Sequence, residues 1–248
     1  MLRKRAFTLV EMLVVISLIV LLIGLLLPSL ASSRETARDV KCRTQLRSVM
    51  QAFQSFSDFN HGRMPGIWTQ GPEYWQKAWL GTEAGTGGAG GAFKGTIASY
   101  LGSEGAALET YRCPSLNVAP WGSGQGSNGK FDYSAFVVFS GAKFQSIPSA
   151  AEYRDPGSNV VTRTTTPVII EENPAHHING CCIEGGFGSI DQQSTTHRGG
   201  SNYAAIDTSA HRLIFTKLGP TTYDWTIRAP SGTIISMSDS VWGGWGLR

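Results

Sequence analysis

The chain has 248 residues, a formal net charge of +3, 16% charged residues, 30 glycines, seven tryptophans and four cysteines. That length holds a helical stem and one modest globular domain, and argues against a second independent domain. Much of the positive charge sits on Arg3, Lys4 and Arg5 and on Arg34, Arg38, Lys41, Arg43 and Arg47. No basic, aromatic-interleaved surface is left for nucleic acid, and the glycine-rich, charge-poor remainder fits an exported, loop-rich domain better than a cytosolic enzyme.

The first element is Arg3-Lys4-Arg5-Ala6-Phe7-Thr8-Leu9-Val10-Glu11, followed by an apolar run over residues 12–27. Cations before a run long enough to enter a bilayer make an export and anchoring signal whose basic end stays in the cytoplasm. Glu11 interrupts the apolar run. A carboxylate at the centre of a membrane helix costs about 2.5–3.5 kcal/mol, less near its end, so Glu11 is expected to need a partner. An ordinary signal peptide cleaved after Ser29-Leu30-Ala31 has no use for a buried glutamate, and its apolar region is shorter than residues 12–27. A plain anchor accounts for the length but not for Phe7-Thr8-Leu9-Val10-Glu11.

At these residues the chain resembles the type IV pilin and type II secretion pseudopilin superfamily: a short basic leader, a small residue, then Phe-Thr-Leu-Val-Glu. The resemblance implies cleavage by a prepilin peptidase between Ala6 and Phe7, N-methylation of Phe7, and a role for Glu11 in subunit assembly. The residue before the cut is usually Gly; Ala6 keeps the small size. Pro28 matches the helix-bending proline of many members, which removes an amide donor from the helix.

Beyond Pro28 the residues Cys42, Leu46, Val49, Phe53 and Phe56 form one apolar stripe at helical spacing, opposite Arg34, Glu35, Arg38, Arg43, Arg47 and Gln51. Asn60-His61-Gly62 and Pro65 end the helix. A helix from Phe7 to Asp58 would be roughly 75 Å long. The stretches from Cys42 to Arg47 and from His61 to Pro65 also resemble the stem-to-head junction of bacterial pilin-like families, which usually carry Asn where Gln45 stands. The domains expected are a leader over 1–6, a transmembrane and assembly helix over 7–30, its amphipathic continuation over 31–60, and a globular head over 61–248.

Within the head, Trp68, Tyr74, Trp75 and Trp79 precede a glycine-rich loop over 85–91, which lacks the following Lys-Ser/Thr and preceding strand of a phosphate-binding loop. Residues 93–101 are predicted to form a short helix, and Tyr111-Arg112-Cys113-Pro114-Ser115 resembles a Cys-Pro element of the same families. A Gly/Ser loop over 122–129 follows. Strands are predicted at 133–139, 160–164, 167–171, 202–206, 211–216, 222–227 and 233–237. The expected fold is α+β: a long N-terminal helix whose apolar stripe packs on a C-terminal antiparallel sheet.

The segment from His197 to Asp207 resembles the His-x9-Asp motif of these families, with Thr208 in place of the usual Gly and no His at Ser209. Gly199-Gly200 would let the chain turn into a strand, Asp207 would bond turn amides, and the pair reads as a polar brace across a hairpin rather than as catalytic. No nucleophile of matching context accompanies it, and Gly200-Ser201 lacks a Gly-x-Ser-x-Gly elbow. His176, His177, Cys181 and Cys182 offer four zinc-ligand types in seven residues, but adjacent pairs do not converge easily on one tetrahedral ion. A disulfide from Cys113 to Cys181 or Cys182 is expected instead, with Cys42 a buried thiol. Asp191, Asp207 and Asp224 are too scattered to assign the calcium site of some pseudopilins, so no metal, cofactor or catalytic residue is assigned.

The resemblance implies a non-enzymatic, single-pass inner-membrane subunit with an extracytoplasmic head, which joins itself or other pilins in a periplasmic or cell-surface filament. Its further partners would be the prepilin peptidase, the inner-membrane assembly platform and the membrane. The alternative is a membrane-tethered surface or metal-binding domain that uses the signal only for anchoring.

Overall fold

The computed structural model describes residues 8–67, 79, 95–103, 106, 109–116, 132–155, 157–171, 186–187, 193–214, 225–228 and 234–237. One helix, α1 (Leu9–Phe59), is followed by antiparallel sheets in the C-terminal part, the α+β class expected. The chain divides into two compact units, Met1–Arg38 and Asp39–Arg248.

The first unit is helical from Leu9 and rich in Leu, Val and Ile. Its few polar side chains turn back on the helix: the hydroxyls of Ser17, Ser29 and Ser33 donate to the carbonyls of Leu13, Leu26 and Ser29 at 2.7, 2.9 and 2.9 Å. These groups are therefore satisfied without water. Pro28 lies inside the helix, where it has no amide to give to the preceding turn.

In the second unit the stripe on α1 enters the core. Cys42, Leu46, Val49 and Phe53 are fully buried, and Phe56 packs against the same cluster. The helix stops where sequence chemistry places the stop. Asn60 donates its side-chain amide to the carbonyl of Phe56 at 2.7 Å, and the Gly62 amide reaches Ser57 at 2.9 Å. His61 and Gly62 take φ of 56° and 74°, the left-handed turn that satisfies the last helical carbonyls.

Two sheets complete the unit. Strands β1 (Tyr133–Phe136), β4 (Pro167–Glu171), β5 (Gly186–Phe187), β6 (Gly200–Ala205) and β7 (Ala210–Ile214) lie in the order β5-β1-β4-β6-β7. Strands β2 (Ala150–Arg154), β3 (Val161–Thr165), β8 (Trp225–Arg228) and β9 (Ile234–Ser236) lie in the order β3-β2-β8-β9. Among the described residues the strand pairings are antiparallel except β1 with β5. Strand β4 is central and buried throughout, and its proline sits at its first residue beside a register shift, where no ladder amide is needed.

Among the described residues the single predicted sheet is thus two, the short β5 was not predicted, and further local expectations change. Strand β1 stops at Phe136, because Val137–Phe139 turn into a 3-10 helix that keeps Phe139 buried. Strand β2 was not predicted; its inward Ala151 and Tyr153 alternate with outward residues over only five positions. Of the helix predicted over 93–101, the described residues 95–101 hold a 3-10 turn at Ala98–Tyr100. Trp225 of β8 joins the sheets, with its ring centroid 5.0 Å from Tyr153, 5.7 Å from Tyr203 and 6.3 Å from Phe136.

Candidate functional site

Four side chains from four separate segments meet inside the second unit. Cys42 comes from the stripe of α1, Cys113 from the Cys-Pro turn, Glu171 from the end of β4, and His197 from the bend before β6. All four are buried, and their ligand atoms lie within 4.8 Å of one another. His197 Nε2 is 3.3 Å from Cys113 Sγ and 3.3 Å from Glu171 Oε1.

Each placement has a local cause. The Cys113 amide donates to the buried Asp132 carboxylate at 2.8 Å, while the Asp132 amide bonds the Tyr111 carbonyl at 2.8 Å. At the other end, Gly199 adopts φ of 78°, so the chain reverses and His197 and Gly200 exchange both backbone hydrogen bonds. Gly200 has a second requirement: a β-carbon there would collide with the Leu213 carbonyl oxygen of β7.

A layer of polar groups surrounds the four. The Asn202 amide side chain donates to Asp39 Oδ1 at 2.9 Å, and the Asn202 backbone amide donates to Glu171 Oε2 at 3.3 Å. Asp39 Oδ1 is 3.7 Å from His197 Nδ1, and Asp39 Oδ2 lies 3.1 Å from Arg43 and 3.7 Å from Arg212. The Tyr133 hydroxyl is 3.1 Å from both Cys42 Sγ and Gln45 Oε1, so it shares one proton between them. Burial drives the Tyr133 phenol well above its ordinary range. The Cys113 thiol is also pushed up, first by its contact with Cys42 and then by burial. Burial pulls His197 down, but its contacts with Cys113 and Glu171 outweigh that and hold it up to about 10.

Sulfur, imidazole and Asp39 are thus ordered like a thiol hydrolase triad, a nucleophile beside His197 that the sequence did not disclose. Two observations oppose that chemistry. Cys113 is only 2% exposed, and a reactive cysteine needs a lowered pKa, the reverse of what its surroundings impose. A cavity of about 230 Å³ is lined by residues of β2, β3, β8 and β9, none of them in the cluster.

The second candidate region is the start of α1. The Thr8 amide and hydroxyl both donate to Glu11 Oε2 at 2.8 Å, and the Glu11 amide reaches back to Thr8 Oγ1 at 3.3 Å. This is a capping box, in which two otherwise orphaned donors at the helix start are satisfied reciprocally. Glu11 therefore has a partner within its own chain, three residues away. Each large apolar side chain from Leu9 to Leu30 is 46–80% exposed, and α1 contains a window long and apolar enough to cross a membrane. The family described as the prokaryotic N-terminal methylation motif matches residues 1–27. This chain carries the prepilin-type signal of type IV pilins and pseudopilins. No curated protein and no solved structure matches the chain.

The remaining expectations for this prepilin-type protein divide by place. Ala6 and Phe7 lie outside the described residues, as do His176, His177, Cys181, Cys182, Asp191 and Asp224. Cys113, expected in a bridge, is a free buried thiol whose sulfur is turned toward His197; Cys42 is free and buried, as expected. His197 and Asp207 do not form one brace. His197 is drawn inward to the cysteines, while the exposed Asp207 accepts from the amide of Ser209 at 3.0 Å and from its hydroxyl, holding the turn between β6 and β7. Asp39, Glu171 and Asn202 were missed. The usable signal was polarity out of place: Asp39 lies one turn before Cys42 on the buried face, and Glu171 ends an otherwise apolar strand.

Proposed function

We propose that the protein is a pilin-like or pseudopilin subunit, cut by prepilin peptidase before Phe7, N-methylated there, and assembled into a helical filament of a type II secretion or type IV pilus system. The match of residues 1–27 to the methylation motif carries this reading. The exposed apolar side chains of residues 9–30 support it, because they bury nothing within their own chain and need lipid or neighbouring helices. The head would lie outside the cytoplasm, on the far side from Arg3, Lys4 and Arg5.

Glu11 would act at assembly. In the single chain its carboxylate is held by Thr8; beside a neighbouring subunit it would exchange those bonds for the amine of a processed Phe7. A buried ion pair is only marginally favourable once desolvation is counted, so this exchange would choose register more than supply strength.

Amino-terminal mass spectrometry of the mature protein is expected to find N-methylated Phe7. A mature start at Ser32 would overturn the reading in favour of an ordinary signal peptide. Filaments that contain the protein, and that vanish with the prepilin peptidase, would distinguish assembly from use of the signal for anchoring alone.

A further inference from the structure

We infer that Cys42, Cys113, Glu171 and His197 form a closed, tetrahedral zinc site that ties four segments of the second unit together. This goes beyond filament assembly and does not depend on it.

The donor set is the first ground. Zinc is bound by thiolate sulfur, imidazole nitrogen and carboxylate oxygen, and its usual bond lengths put neighbouring donors in a tetrahedron about 3.3–3.8 Å apart. Here His197 Nε2 is 3.3 Å from both Cys113 Sγ and Glu171 Oε1, and no two of the four donors are more than 4.8 Å apart. A shift of up to about 1 Å closes the set around one ion. Two sulfurs among four donors disfavour calcium and magnesium, which take oxygen ligands.

The second ground is what hydrogen bonding leaves undone. His197 Nε2 stands 3.3 Å from two heteroatoms at once, Cys113 Sγ and Glu171 Oε1, and Glu171 Oε1, fully buried, has no hydrogen bond of good geometry. An ion between the donors resolves both. On binding, the thiols and the protonated imidazole release their protons, which frees the Nε2 lone pair for the ion.

The third ground is the surrounding layer. A metal-bound histidine characteristically presents its other ring nitrogen to a carboxylate, and bound carboxylates are themselves hydrogen-bonded. His197 Nδ1 faces Asp39, which Asn202, Arg43 and Arg212 hold in place, and Glu171 Oε2 accepts from the Asn202 amide. The Tyr133 hydroxyl lies 3.1 Å from Cys42 Sγ, sharing its proton between that sulfur and Gln45 Oε1. With four protein ligands, all buried, no position remains for water or substrate. The site is structural rather than catalytic.

The test uses the full-length chain purified in detergent under reducing conditions, incubated with zinc chloride and then freed of excess metal. Elemental analysis is expected to find about one zinc per chain, with X-ray absorption showing two sulfur and two nitrogen or oxygen neighbours. Cobalt(II) in place of zinc should show thiolate-to-metal charge transfer and the intense visible bands of a tetrahedral ion. Cys113→Ser should abolish the charge transfer from one sulfur, and Asp39→Asn, which spares all four ligands, should weaken zinc about 10- to 100-fold. The wild-type measurements stand even if a variant fails to fold. A wild-type chain that keeps less than about a tenth of an equivalent of zinc, set against the single ion of a closed site, would overturn the inference. So would a Cys42–Cys113 disulfide, a different metal at these sulfurs, or full zinc retention by Cys113→Ser, which would move the ion to the segment holding Cys181 and Cys182.

Discussion

Between Leu9 and Leu30, α1 leaves each large apolar side chain at least 46% exposed, whereas between Asp39 and Phe59 the same helix buries Cys42, Leu46, Val49, Met50 and Phe53 completely. The backbone is alike in both. The difference lies in where the apolar residues stand. The first segment is apolar on all sides and has no preferred internal face, so only its surroundings can cover it. The second confines its apolar residues to one stripe and finds its cover in Trp79, Tyr111, Tyr133 and the strands of its own chain. Stability of the head and behaviour of the N-terminal segment should therefore respond to different substitutions.

The largest separation is expected from Trp225→Ala. The ring touches Tyr153, Tyr203 and Phe136, so its removal should cost the head about 3–5 kcal/mol, read as a lower denaturant midpoint of the full-length chain. Leu18→Ala, in the exposed segment, should move that midpoint by less than about 0.5 kcal/mol. Comparable losses from both would break the contrast. A smaller effect is expected at Gly200→Ala, where the added methyl meets the Leu213 carbonyl and must push β6 and β7 apart. Overpacking of this kind costs about 1–3 kcal/mol, and amide exchange should quicken first in β7.

Glu11→Ala sharpens the contrast from the other side. Loss of the capping box should weaken the helix start by about 0.5–2 kcal/mol and leave head unfolding unchanged. On the proposed reading, filaments would then be lost or misassembled in electron micrographs. Filaments of normal number and symmetry would show that Glu11 sets neither register nor assembly. The smallest effect belongs to Asp207. Slight burial raises its pKa, but the hydroxyl and amide of Ser209 lower it further, leaving it below its ordinary 3.8. A depressed carboxyl stabilises above its unfolded value and loses that contribution as pH falls through its folded value. Asp207→Asn should therefore fall slightly behind the wild type at neutral pH and draw level with it as the pH falls through the depressed folded value, in paired acid unfolding curves.

Periodic features were readable from sequence. The stripe on α1, its stop at Asn60-His61-Gly62, and strand β4 at residues 167–171 follow from spacing and turn chemistry that act over a few residues. The signal at residues 1–27 was legible because a peptidase reads it linearly. The buried cluster was not. Its donors lie in four distant segments, whereas the search for metal ligands favoured neighbours such as His176, His177, Cys181 and Cys182. For Glu11 the need for a partner was readable from its place in the apolar run, and in the single chain Thr8 meets it one turn away. Strand β2 escaped because five residues alternate too briefly to stand out from loop.

The place of Trp225 bears on how the head comes into being. The indole closes a contact among Phe136, Tyr153 and Tyr203, all of which precede it in the chain, so the two sheets are not locked together there until β8 is present. If the head emerges across a membrane with the N-terminal helix already lodged there, its earlier strands wait with their inner faces uncovered. Such vectorial delivery makes the segment that carries Trp225 the trigger for a cooperative closure, and premature termination upstream of Trp225 would leave a sticky, protease-sensitive intermediate rather than a smaller folded protein.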